Sequence, residues 1–193
     1  MIEKDIYSFV FCGLLAEEAL DRSGRLNHLT LGSNLDKEVI DRLPLALLDE
    51  DLIVRAKRMA TVYTAIAAFE NTVRELVSKR LLEEIGESWW LNCVSEKIRK
   101  NAENRKEEEE KNRWHTPRGV ALINYTDFGD LTSIINQNWK YFENHLQSID
   151  WVRQIIKTLE RSRNVIMHSG ELENDDVERV GIAIRDWIRQ VGG

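Results

Sequence analysis

With 193 residues, 42% of them apolar, the chain can fill one hydrophobic core, or a core plus a small extension, but hardly two independent domains. Only two prolines and ten glycines interrupt it, and Leu, Ile, Glu, Arg and Ala dominate, which predicts an all-α fold with one short irregular stretch. A net charge of −6 excludes a general electrostatic sponge for phosphate backbones, so any nucleic-acid contact has to be local.

Ile6, Phe9, Val10, Gly13 and Leu14 recur at helical spacing, predicting a helix over 5–20 that stops before Gly24. This apolar stretch is short and preceded by Glu3 and Asp5, so it reads as neither a signal peptide nor a membrane span. Asn34 is a candidate N-cap for a second helix through Val39, Ile40 and Leu43, which Pro44 should kink or split. Residues 1–50 therefore form an N-terminal helical extension, and 51–193 the main domain.

From Leu52 to Ile85 one helical pattern runs without an internal Gly or Pro, and Gly86 stands where a C-terminal cap belongs. Trp89 and Trp90 open another helix, expected to continue through Val94 and Ile98 into the charged run Glu96–Arg113. Acids and bases nearly cancel there, so the run reads as a solvated helix projecting from the body, laced by pairs four residues apart. Helical periodicity lapses over 117–125, read as a loop. Asp130 introduces a short helix with Leu131, Ile134, Ile135, Trp139 and Phe142 on its apolar side, broken near Asn144. Asp150 is the expected cap of the next helix, Trp151 to about Ser169, closed by Gly170, and a last helix spans about 175–191.

Chemistry concentrates on the helix after Asp150. At about 100° per residue, Val152, Ile155, Ile156, Leu159 and Ile166 share one stripe, and Arg163 falls inside it. A guanidinium keeps its proton, so an arginine aimed at an apolar interior requires a carboxylate, an anion or a route to solvent. On the long helix Glu70 is a lone acid on the face that carries Met59, Val62, Tyr63, Ile66, Val73 and Val77. Two readings follow: Glu70 meets Arg163 across the helix packing, or Glu70 pairs with Arg74 one turn along while Arg163 extends outward. Arg161, Asn164 and His168 form a separate polar edge of the helix. Histidine is the side chain that changes charge near neutral pH, although most histidines at a helix end only cap carbonyls.

The stretch Arg163-Asn164-Val165-Ile166-Met167-His168 resembles the Arg-x4-His signature of HEPN domains. Elsewhere in the chain, Phe69-Glu70-Asn71-Thr72-Val73-Arg74-Glu75-Leu76, Ser88-Trp89-Trp90, Tyr125-Thr126-Asp127-Phe128-Gly129-Asp130-Leu131 and Asn138-Trp139 with Phe142 resemble, in order and approximate spacing, the branch named after the Swt-type RNA endonucleases of nuclear quality control. The resemblance covers about 52–191. It implies a HEPN-type helical bundle that pairs as a homodimer and cuts RNA without a metal or cofactor. His168 would handle a proton, Arg163 would neutralise phosphorane charge and Asn164 would position either the imidazole or the phosphate, with Glu70 and Arg161 in support. Implied partners are RNA, a second copy and, for a toxin or defence effector, an antitoxin or defence-system protein. HEPN toxins silenced by a nucleotidyltransferase carry a tyrosine two residues after the histidine; this chain has Gly170 there, so that mode of silencing is not expected.

Other chemistry finds little support. Walker, GxGxxG, HExxH and GxSxG motifs are absent from the sequence, and His28, His115 and His145 lack companion ligands at useful spacing. Cys12 and Cys93 suggest neither a disulfide framework nor a zinc site, which fits a reducing cytoplasm without a membrane role. The tryptophans at 89, 90, 139, 151 and 187 are assigned to packing rather than base stacking. Two alternatives to a ribonuclease remain: a non-catalytic helical interaction module, and a sensor that holds a nucleotide phosphate without cutting.

Overall fold

The computed structural model describes residues 39–112 and 114–191. The chain divides into two compact units, Met1–Ile53 and Val54–Gly193. In the first, residues 39–42 are helical and a 3-10 turn follows at Leu45–Leu47 with Pro44 at its N-cap. Proline cannot donate to a continuing helix, so the chain breaks there as the sequence predicts. The expected helix over 5–20, the Asn34 cap and His28 lie outside the described residues.

The scaffold is helix α1, Glu50–Ile85. Met59, Val62, Ile66, Phe69, Val73, Val77 and Leu81 are buried along it, at spacings of three and four that keep them on one face. Full burial of such a side chain contributes about 1.5–3 kcal/mol, and a helix this long is stabilised mainly through that face. Gly86, at φ +80°, ends it in the left-handed conformation that glycine adopts without strain.

One expectation needs correction next. The predicted continuous helix from Trp89 is two helices, α2 at Trp89–Cys93 and α3 at Glu96–Glu110. Val94 and Ser95 are extended (ψ 129° and 148°), which turns Val94 into the core at 3% exposure. Nor does α3 project into solvent. Ile98 and Ala102 are buried, α3 packs on a 3-10 turn at Leu122–Tyr125, and Arg105 donates to the Tyr125 carbonyl at 2.6 Å. The expected pairs one turn apart do occur on its outer face, as Lys100–Glu96 and Lys106–Glu110.

Helix α4, Phe128–Gln137, begins earlier than Asp130 because Asp127 and Asp130 form a reciprocal capping box. Asp127 accepts the Asp130 N–H at 2.8 Å and Asp130 accepts the Asp127 N–H at 3.2 Å, satisfying donors that the first helical turn leaves open. It also ends earlier, and Trp139–Tyr141 form a 3-10 turn. There the Asn138 side chain donates to the Cys93 and Ile134 carbonyls.

Helix α5, Ile149–Met167, is capped by Ser148, whose hydroxyl accepts the Trp151 N–H at 3.1 Å. Asp150 sits inside the first turn and pairs with Arg153 instead. Helix α6, Asn174–Val191, packs on α5, and α5 packs on α4. Trp187 is fully buried at this junction, stacked on Trp151 at 5.5 Å and edge-on to Phe69 at 5.4 Å. The five tryptophans assigned to packing all belong to, or lie against, the core. The fold is all-α, and among the described residues no helix is long and apolar enough to cross a membrane.

Candidate functional site

Helix α5 places the Arg163–His168 segment on its final turn. Val152, Ile155, Ile156 and Leu159 are buried, whereas Arg161, Asn164 and His168 are exposed. The aliphatic stripe and the polar edge therefore fall as their angular spacing predicts. Arg163 is intermediate, with 29% of its side chain exposed.

Both partners considered for Glu70 are present. Its carboxylate, 7% exposed, pairs through Oε1 with Arg74 and faces Arg163 Nε through Oε2 at 3.5 Å. Arg74 is fastened further by the Thr126 carbonyl at 2.9 Å and Asn71 Oδ1 at 3.0 Å. The Arg163 contact is an ion pair without hydrogen-bond geometry, for its Nε is buried and unbonded. One carboxylate thus serves two guanidiniums.

These groups line a cavity of about 450 Å³, together with Tyr63, Asn124, Asp127 and two further arginines, Arg105 and Arg118. Its size suits a small ligand or part of a larger one. Met167 lines it as well, but Asn164, Arg161 and His168 do not. Within one chain, then, Glu70 and Arg163 come together, while the imidazole stands outside on the exposed helix end. The helix terminates there by a left-handed Ser169, φ 60°, with the Gly170 N–H returning to the Val165 carbonyl at 2.8 Å. Val165 and Met167 beside it are 39% and 56% exposed.

Sequence reasoning missed Arg105 and Arg118. Arg105 had a signal: Ile98, Ala102 and Arg105 recur at spacings of four and three, marking a buried edge on the charged helix. Its guanidinium ties α3 to the capping box of α4, with Asp127 at 3.0 Å and Asp130 at 3.1 Å. Arg118 lies in a loop without periodicity and offered none.

Glu160, on α5, approaches the same acids. Burial pushes its carboxyl above the ordinary value, the nearby Asp127 carboxylate adds to this, Arg163 opposes it, Glu70 adds again and Lys157 opposes. The folded state therefore holds this proton more tightly than the unfolded chain, and ionisation opposes folding at pH 7. That penalty is relieved as pH falls through the raised value. Glu160→Gln is expected to raise the thermal midpoint at pH 7 by about 1–3 °C, with the gain gone below about pH 4, where both states are protonated. Melts across this range check it, and a gain that persists unchanged at low pH contradicts it.

An all-helical bundle with an Arg-x4-His segment closing one helix and a charged cavity behind the arginine defines a HEPN-class protein. The model of the Swt1-like HEPN family matches residues 64–192, more than half of the chain, and the protein belongs to that family. No curated protein and no solved structure matches it.

Proposed function

We propose that the protein is a metal-independent endoribonuclease, acting as a homodimer in a toxin, defence or RNA-processing role. The observation that carries this reading is the Arg163–His168 segment at the end of α5, in a chain of the Swt1-like HEPN family, with Arg163 lining an open cavity. The separation of His168 from that cavity in a single chain favours a composite site, in which two-fold pairing brings the imidazole of one copy to the guanidinium of the other. The exposed Val165 and Met167 flanking the polar edge supply apolar area for such pairing.

In the proposed reaction the ribose 2′-oxygen attacks the adjacent phosphorus, forming the O2′–P bond as the P–O5′ bond breaks. The 2′-hydroxyl loses its proton and the departing 5′-oxygen gains one, steps in which His168 acts as base or acid. Arg163 lies where charge grows on the phosphorane oxygens, and its hold on that charge is stronger in the transition state than in the ground state. Asn164, on the same exposed face as His168, orients the imidazole or the phosphate, and Arg161 adds positive charge beside them. Glu70 fixes the aim of Arg163. Residues 1–50 form an extension to the domain at 51–193, and an antitoxin or defence-system protein is a candidate partner.

Purified protein incubated with total cellular RNA and excess chelator is expected to yield fragments ending in 2′,3′-cyclic phosphate and 5′-hydroxyl groups. Intact RNA, or ends of the opposite polarity, overturns the proposal. The family match also accommodates a non-catalytic module that binds RNA or a nucleotide, and that reading gains if intact RNA is retained by the protein.

A further inference from the structure

The four arginines of the cavity are not equivalent. Arg74 spends its terminal nitrogens on Glu70, Asn71 and the Thr126 carbonyl, and Arg105 spends its own on the Tyr125 carbonyl, Asp127 and Asp130. Both tie the bundle together. Arg163 and Arg118 are held differently. Glu70 faces Arg163 at Nε, and Glu109, near the end of α3, engages Arg118 at Nε and accepts its backbone N–H at 3.0 Å. Neither Arg163 nor Arg118 donates a hydrogen bond from its terminal nitrogens among the described residues.

A guanidinium that faces a carboxylate at Nε and is open at its two terminal nitrogens presents the planar fork that fits a pair of phosphate oxygens. For Arg118, the close contact with Glu109 removes part of the side-chain entropy that binding otherwise costs. Two such forks line one cavity, and one belongs to the Arg-x4-His segment. Building on the ribonuclease reading, we infer that Arg118 binds a backbone phosphate of a single-stranded RNA flanking the scissile phosphate that Arg163 faces, with Glu109 as its positioning residue. An exposed pair such as Arg118–Glu109, at 55% and 25%, is worth little to the fold. Its effect is to hold the fork in place.

The test uses the full chain and a fluorescent single-stranded RNA of about ten nucleotides, 2′-O-methylated throughout so that it binds but cannot be cut. Arg118→Ala is expected to weaken binding about tenfold and to flatten the dependence of log affinity on log salt by about 0.7, one phosphate contact fewer. Arg118→Lys keeps the charge without the fork and is expected to fall between. Glu109→Ala is expected to weaken binding although it removes a negative charge, whereas Glu108→Ala, the same charge change at an exposed neighbouring residue, is not. On cleavable RNA, Arg118→Ala is expected to raise KM more than it lowers kcat.

Wild-type affinity and salt slope in Arg118→Ala overturn the inference, as does Glu109→Ala binding more tightly than wild type. Displacement of the probe by adenosine 5′-monophosphate at matched phosphate concentration also overturns it, in favour of a single-nucleotide site. If the probe binds through Arg118 while cleavable RNA stays intact, the phosphate site stands and the nuclease reading falls. If RNA is cut and Arg118→Ala changes nothing, the reverse holds.

Discussion

His168→Ala is expected to lower RNA cleavage by about 10²–10⁴-fold, the range supplied by a positioned general acid or base, while leaving thermal unfolding unchanged. The second half of that expectation follows from position: His168 caps α5 through its backbone N–H, which alanine keeps, and its exposed imidazole makes no hydrogen bond or ion pair among the described residues. A sharper form of the experiment mixes two inactive chains. If the site is shared across a two-fold axis, His168→Ala combined with Arg163→Ala restores a fraction of activity, since the mixed dimer contains one complete pair. Undiminished cleavage by His168→Ala alone would remove this histidine from the mechanism, and failure of the mixture to recover would confine the site to one chain.

Glu70→Ala is expected to destabilise the fold by about 3 kcal/mol, the scale on which removing one member of a buried pair leaves its partner uncompensated. Arg74 is the group that suffers, for only 15% of its side chain is exposed and its remaining bonds go to Asn71 and the Thr126 carbonyl. Arg163, nearly twice as exposed, turns to water at lower cost. The midpoint of thermal unfolding should fall by about 6–12 °C. Replacing both partners, as Glu70→Leu with Arg74→Met, is expected to recover most of the loss, because neither charge then remains in the interior. Chemical denaturation of the wild type, the single variant and the double variant checks this. A single variant within about 0.5 kcal/mol of wild type means the pair does not carry the load assigned to it.

The polar members of this network were partly visible in the amino-acid order. Glu70 and Arg163 stand out because each interrupts an aliphatic stripe of fixed period, and a charge at such a place demands a partner. Periodicity does not rank alternatives, so it left Arg74 and Arg163 as rivals for one carboxylate that in fact engages both. It also erred where a short extended link costs little. The break at Val94–Ser95 has no proline or glycine to announce it, and it is stabilised by Val94 entering a core assembled from distant segments. Helix starts were misplaced by one to three residues because Asp127 and Ser148 compete with equally plausible caps at Asp130 and Asp150. Arg118 was invisible for a different reason: its loop has no repeat from which the direction of a side chain can be read.

The close of α5 also bears on how this protein can be modified. A Cβ added at Gly170 would lie 2.9 Å from the Val165 carbonyl oxygen and 2.8 Å from its Cγ1, and that same oxygen receives the Gly170 N–H. The first distance involves main chain and cannot be relieved by a rotamer change. To carry a side chain two steps beyond the imidazole, this chain would have to shift the main chain around Val165, so a taggable residue cannot be introduced there by substitution without remodelling the turn.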